Sequence, residues 1–130
     1  MFTDIVGFTR LSAENEAQAI ELIQWQRKTI KPLVVKHEGQ WLKEIGDGLL
    51  LSFPSSLNAV ECAVQIQENF NDSNFKIRIG IHQGDVIIEG NDIFGDGVNL
   101  ASRIESAAPK GGIAYSDKVQ QDISAYPEIV

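Results

Sequence analysis

Gln40-Trp41-Leu42-Lys43-Glu44-Ile45-Gly46-Asp47-Gly48-Leu49-Leu50-Leu51-Ser52-Phe53 is the stretch that decides the fold. Residues 40–45 and 49–53 are two strand-like runs, and Gly46-Asp47-Gly48 between them reads as a hairpin turn. Helical patterns flank this hairpin. Upstream, residues 13–37 carry helix formers, with Ile20, Ile23, Trp25, Ile30 and Val34 at roughly helical intervals. Ser12 is placed to cap that helix and Glu38-Gly39 to end it, while Pro32 is expected to kink it or split it in two. Downstream, Ser55 or Ser56 caps a second amphipathic helix reaching Phe70, and Asn71-Asp72-Ser73-Asn74 is a loop.

Further out, residues 1–6 are short and apolar around Asp4 and read as a buried strand ending at Gly7. Residues 76–82 alternate as Ile77, Ile79 and Ile81, and 85–89 form another strand after the Gly84 turn. A third helix is expected over 97–107, and a further strand starts at 112–115. The order is strand, helix, strand, strand, helix, strand, with additions. That is the α+β, ferredoxin-like βαββαβ pattern, an antiparallel sheet with helices packed on one face. Many functions share this fold, so the polar residues at the strand ends must decide among them.

The bulk composition narrows the field. The 130 residues suit one domain with one core, and 43% hydrophobic with 22% charged residues is ordinary for a soluble globular protein. The formal net charge is -7 and no stretch concentrates Lys and Arg, so polymeric nucleic acid is a poor candidate partner. A single nucleotide is not. Cys62 stands alone in an apolar helical stretch and reads as a buried, inert thiol, in keeping with a reducing, cytoplasmic setting. No run approaches the roughly 18 apolar residues of a membrane span.

Asp4 and Asp47 form the first pair that needs a chemical reason. Asp4 is an acid in an otherwise apolar strand, and Asp47 sits between two glycines at a hairpin tip. In a ferredoxin-like sheet the end of the first strand lies beside the hairpin joining the second and third. Alone, Asp47 also reads as a turn aspartate and Asp4 as a capping or hydrogen-bonded core acid. Together they favour a metal site, because close carboxylates repel unless a cation lies between them, and Mg²⁺ takes one or two carboxylates plus substrate phosphates.

Four blocks then resemble a known family. They are Phe2-Thr3-Asp4-Ile5-Val6-Gly7-Phe8-Thr9; Lys43-Glu44-Ile45-Gly46-Asp47-Gly48; Arg78-Ile79-Gly80-Ile81-His82; and Asp92-Ile93-Phe94-Gly95 followed by Val98-Asn99-Leu100-Ala101-Ser102-Arg103-Ile104-Glu105. In this order and at this spacing they are similar to the class III adenylate and guanylate cyclases, over nearly the whole chain. The resemblance implies that Asp4 and Asp47, helped by the backbone carbonyl of Ile5, bind two divalent ions, Mg²⁺ or Mn²⁺. It implies that the backbone from Val6 through Gly7 and Phe8 to Thr9 lines the phosphates, as N–H groups at a helix start suit an anion. Asn99 and Arg103, four residues apart and so on one helical face, would orient the ribose and stabilise the phosphorus in the transition state. A surface Arg103 paired with Glu105 is the plainer alternative. Arg78 would contact the phosphates.

Lys43 and Asp92 would read the base. Adenine presents an acceptor at N1 and an amino donor at N6, which Lys and Asp match; guanine reverses the pattern, and guanylate-specific members tend to carry Glu and Cys there. The expected activity is therefore adenylate cyclase, ATP to cyclic AMP and pyrophosphate. Its sites would be built at a homodimer interface, with Asp4, Asp47 and Arg78 from one copy and Lys43, Asp92, Asn99 and Arg103 from the other. Alternatives are a guanylate cyclase and a non-catalytic dimerisation or nucleotide-sensing module. A diguanylate cyclase is disfavoured because the Gly-Gly-Asp/Glu-Glu-Phe motif is missing. Family members usually begin before Met1 and continue past Val130, so residues 1–130 are expected to be one catalytic domain trimmed from a longer protein with regulatory domains. His82, His37, Trp25 and Trp41 read as structural or interface residues, and Glu14, Glu16 and Glu21 as a solvated helix face.

Overall fold

The computed structural model describes residues 1–84 and 97–126, together with the backbone of 87–89, 92–94 and 96. Its elements run β1 (Phe2–Ile5), α1 (Phe8–Glu14), α2 (Glu16–Lys36), β2 (Gln40–Ile45), β3 (Gly48–Ser52), α3 (Ser56–Phe70), β4 (Ile77–Ile81), β5 (Ile87–Glu89), β6 (Asp92–Phe94), α4 (Asp96–Ser106), β7 (Ile113–Tyr115) and α5 (Asp117–Ile123). The main sheet has the order β2-β3-β1-β4-β7, and β5 pairs with β6 in a small ribbon. The first four strands pair antiparallel, as the ferredoxin-like pattern predicts; β7 adds itself parallel to β4. Of the expected strand 85–89, Asp85 and Val86 lie outside the described residues.

The long helical stretch breaks at Asn15 and not at Pro32. Gly7 precedes α1, and Asn15 both ends α1 and caps α2, its side chain accepting from the N–H of Gln18. That replaces the expected cap at Ser12. Past Asn15 the helix runs through Pro32 to Lys36, and His37 is its C-cap. α2 buries Ala19, Leu22, Gln26, Ile30 and Val34, one stripe at helical spacing. α3 starts at a Ser55 cap that accepts from Asn58 N–H and buries Val60, Cys62, Ala63, Ile66 and Phe70.

The sheet has two unlike faces. Thr3, Ile5, Leu49, Leu51, Ile77, Ile79 and Ile81 are all buried, and the aliphatics among them pack with α2, α3 and α5 in one core. Each such side chain contributes about 1.5–3 kcal/mol by leaving water. Phe2, Asp4, Arg78 and Gly80 alternate onto the opposite face. There α4 lies directly on β4: a Cβ built at Gly80 would sit 2.6 Å from both the carbonyl of Ala101 and the Cα of Glu105. Helices on one face is thus the arrangement of α2, α3 and α5, while α4, an addition after β4, covers the other.

Candidate active site

The Gly46-Asp47-Gly48 tip is fixed by its backbone. Gly46 has φ 61°, in the left-handed region. A Cβ at Gly48 would press to 3.1 Å on the carbonyls of both Thr3 and Ile45. Glycine on both sides of Asp47 is therefore favoured, by backbone conformation at Gly46 and by close packing at Gly48. The turn aims the carboxylate at β1, where Oδ2 of Asp47 accepts the N–H of Ile5 at 2.8 Å. Asp4 precedes Ile5, so this bond ties the Asp47 carboxylate to the peptide that follows Asp4, at the end of β1. Gln26 of α2 donates from Nε2 to the Asp47 carbonyl at 3.2 Å.

Asp4 pairs across the ladder with Arg78 on the α4 face. Its Oδ1 is buried and has no hydrogen-bond partner among the described residues. Glu105 reaches the same place from α4 and is only 2% exposed. Burial, then the hydrogen bond and repulsion from Asp4, push the Glu105 carboxyl up from 4.5 to about 8, with Arg78 and Ser106 opposing. Of the two carboxyls that meet here, Glu105 is therefore the one that holds a proton more readily. Arg78 spends its Nε on the carbonyl of Ala108 at 3.1 Å, which leaves its two terminal nitrogens for other acceptors.

Among the described residues no group of three or more His, Cys, Asp or Glu side chains could hold a metal. Mg²⁺ does not need one, since it takes one or two carboxylates and completes its shell with water and phosphate oxygens. The unpartnered Asp4 oxygen and the Asp47 carboxylate held on Ile5 N–H lie at the same strand end, and their all-oxygen chemistry suits such an ion.

A groove lined by Phe8, Thr9, Ser12, Ala13, Gly46 and Asp47 runs from the tip along α1. The first-turn N–H groups of a helix lack intrahelical acceptors. Val6 is different from the rest of its segment, because its N–H already bonds the carbonyl of Lys76 at 2.9 Å. Any anion held by these backbone donors meets them after Val6.

Lys43 owes its direction to a bulge. Trp41 pairs with Leu51 but Lys43 pairs with Leu50, so Leu42 is an extra residue in β2. Trp41 faces α2, with Lys31 5.2 Å from its ring centroid, and so does Glu44, which Arg27 grips at 2.8 and 3.0 Å. Regular pairing would put Lys43 on that face too; the bulge turns it, exposed, to the face of Phe2 and Asp4. Asn99 and Arg103 are exposed on α4, and among the described residues no acid pairs with Arg103. Glu105 points into the sheet instead. Asp92 opens β6 with its backbone opposite Glu89, and its side chain lies outside what is described.

With this geometry in place, comparison with known proteins identifies the domain. A family model described as the adenylate and guanylate cyclase catalytic domain matches residues 1–127. The chain belongs to this family. It is 38% identical over 136 residues to the putative adenylate cyclase 3 of Rhizobium meliloti (strain 1021), covering 97% of this chain and 23% of that protein. An adenylate/guanylate cyclase/hydrolase from Silicibacter pomeroyi superposes with a TM-score of 0.82 at 34% identity, covering 95% of this chain and 77% of that one. A non-canonical dimeric guanylyl cyclase domain of the RhoGC fusion protein from Blastocladiella emersonii gives 0.83 at 25% identity, covering 95% of this chain and 81% of that one.

Two residues of this cyclase domain escape a reading by sequence. Glu105 sits two residues beyond Arg103 and was legible only as its partner; its place on the inner Ala101-Glu105-Ala108 stripe is the available signal. Gln26 interrupts the apolar stripe of α2, and a polar residue at a core position is a signal in itself. No helix of the described residues is long and apolar enough to cross a membrane.

Proposed function

We propose that the domain is an adenylate cyclase that converts ATP to 3′,5′-cyclic AMP and pyrophosphate at sites shared by two copies of the chain. The observation that carries this reading is the Ile5–Asp47 hydrogen bond, which brings the Asp4 and Asp47 carboxylates to one strand end. In the reaction the ribose 3′-oxygen attacks the α-phosphorus, the bond to the β-phosphate oxygen breaks, and pyrophosphate leaves. Two divalent ions, Mg²⁺ or Mn²⁺, held by Asp4, Asp47 and the Ile5 carbonyl would supply ionisation of the 3′-hydroxyl and charge neutralisation of the triphosphate.

The chain's own groups do the rest. Arg78 keeps its terminal nitrogens for phosphate oxygens, and the N–H groups from Gly7 to Thr9 line the same triphosphate. Asn99 of the second copy orients the ribose, and Arg103, one turn away, neutralises charge gathering on the phosphoryl oxygens. Lys43 donates to adenine N1 and Asp92 accepts from N6. Guanine would leave both polar groups unpaired, at roughly 1–3 kcal/mol each. Because Lys43, Asn99 and Arg103 belong to one copy and Asp4, Asp47 and Arg78 to the other, a monomer is inactive. We take residues 1–130 as one cytoplasmic catalytic domain of a longer protein, itself soluble or membrane-anchored, whose regulatory domains act by shifting the pose of the two copies.

The test is product formation from ATP and GTP supplied separately with Mn²⁺, beside an Asp47→Ala control. Cyclic AMP from ATP, rising faster than linearly with protein and lost in the control, is the expected result. Cyclic GMP would overturn the roles of Lys43 and Asp92. No product, also from a version extended at both ends, would leave a non-catalytic module.

A further inference from the structure

Gln26 is fully buried, with 0% of its surface exposed. It stands in the stripe Leu22-Gln26-Ile30-Val34, where every other position is aliphatic. Its Oε1 is buried without a partner among the described residues, and its one hydrogen bond runs from Nε2 to the backbone carbonyl of Asp47. An orphaned amide oxygen in a core costs about 1–3 kcal/mol, and an apolar side chain of similar shape would avoid that cost. The bond to the Asp47 carbonyl offsets part of that cost, so stability alone gives α2 little reason to carry an amide here.

What the amide touches supplies the reason. Asp47 is gripped at both ends: Ile5 N–H holds its carboxylate and Gln26 holds its carbonyl. Immediately before these anchors the turn passes through the left-handed Gly46, which by itself resists rotation of the tip weakly. We propose that Gln26 is a positioning residue, which locks the Asp47 peptide so that its carboxylate stays turned toward Asp4 for a divalent cation. The inference rests on reading Asp4 and Asp47 as the cation-binding pair.

The experiment titrates the purified chain with Mn²⁺ alone, followed by water-proton relaxation, and records melting temperatures alongside. Wild type, Gln26→Met, Gln26→Leu and Asp47→Asn are compared. Both Gln26 variants remove the donor and keep an apolar filling, so failure of one to fold leaves the other to report. The expected result is Mn²⁺ affinity lowered on the order of tenfold in Gln26→Met and Gln26→Leu, with a melting temperature close to wild type, because losing the orphaned oxygen offsets losing the bond to the Asp47 carbonyl. Asp47→Asn should lose more. Wild-type affinity in the Gln26 variants, beside a weakened Asp47→Asn, overturns the positioning role, as does a lowered melting temperature with unchanged affinity. Unchanged affinity in Asp47→Asn overturns the cation pair itself.

Discussion

The N–H of Ile5 donates to Oδ2 of Asp47 at 2.8 Å, and this bond joins a hairpin tip to the end of a strand 42 residues away in sequence. It ties the Asp47 carboxylate to the peptide that joins Asp4 to Ile5. Asp47→Asn keeps the shape and can keep an oxygen on Ile5. Its cyclase activity should nonetheless fall by about two orders of magnitude or more, while the melting temperature changes little. Comparable activity in the variant would remove Asp47 from the chemistry.

Lys43 stands opposite Leu50 because Leu42 is bulged. Lys43→Ala should lower kcat/KM for ATP by roughly 10- to 100-fold, the equivalent of about 1–3 kcal/mol of lost hydrogen bonding. Activity with GTP should change less. Steady-state kinetics with both nucleotides decide the point, and equal losses would mean that Lys43 does not read the base.

Gly80 lets α4 rest on β4. Gly80→Ala forces a Cβ against the backbone at Ala101 and Glu105, which have no side-chain rotamer to yield. A loss of about 1–3 kcal/mol in urea unfolding is expected, together with loss of activity through Asn99 and Arg103 on the displaced helix. A variant as stable as wild type would contradict the packing described.

Glu105 gives the fold a pH dependence of known sign. Its carboxyl is held up at about 8, against an ordinary 4.5. Between these values the folded chain keeps a proton that the unfolded chain has released, so this contribution to stability is full below pH 4.5 and is lost as pH rises through about 8. Glu105→Gln keeps a donor and removes the titration. In metal-free buffer its melting temperature should fall less than wild type between pH 5 and 9, roughly the window those two values span. Parallel curves would show that Glu105 does not hold the proton.

Cys62 is 0% exposed, and burial pushes its thiol up to about 12. A thiol-specific disulfide reagent at pH 8 should leave the native chain unmodified and react fully once urea unfolds it. Rapid modification of the native chain would contradict this burial.

Much of this architecture is legible in the sequence, and the parts that are not have physical reasons. The hairpin at 40–53, the apolar alternation of β4 and the Ser55 cap are local signals, and the structure keeps them. The break between α1 and α2 is not, because Ser12 and Asn15 are both good caps and the seven residues of α1 are too few to show a stripe. The bulge at Leu42 has no glycine or proline to announce it; the extra residue lets Trp41 and Glu44, three apart, both meet α2 while Lys43 faces away. α5 and the parallel pairing of β7 follow from tertiary contacts that no short window contains. In the candidate site the motif residues were legible by type and spacing. The supports under them, Gln26 and Glu105, appear only once α2 and α4 are packed on the sheet.

The most direct test of a shared site is complementation between two inactive variants. Asp47→Asn spoils one half of each site and Arg103→Ala the other, so each variant alone should make almost no cyclic AMP from ATP and Mn²⁺. Mixed in equal amounts at high concentration, random pairing makes half of the dimers mixed, each with one intact site. Activity should then return to about a quarter of wild type. A mixture as silent as its parts, with exchange of subunits verified, would contradict a catalytic site built from two copies of this chain.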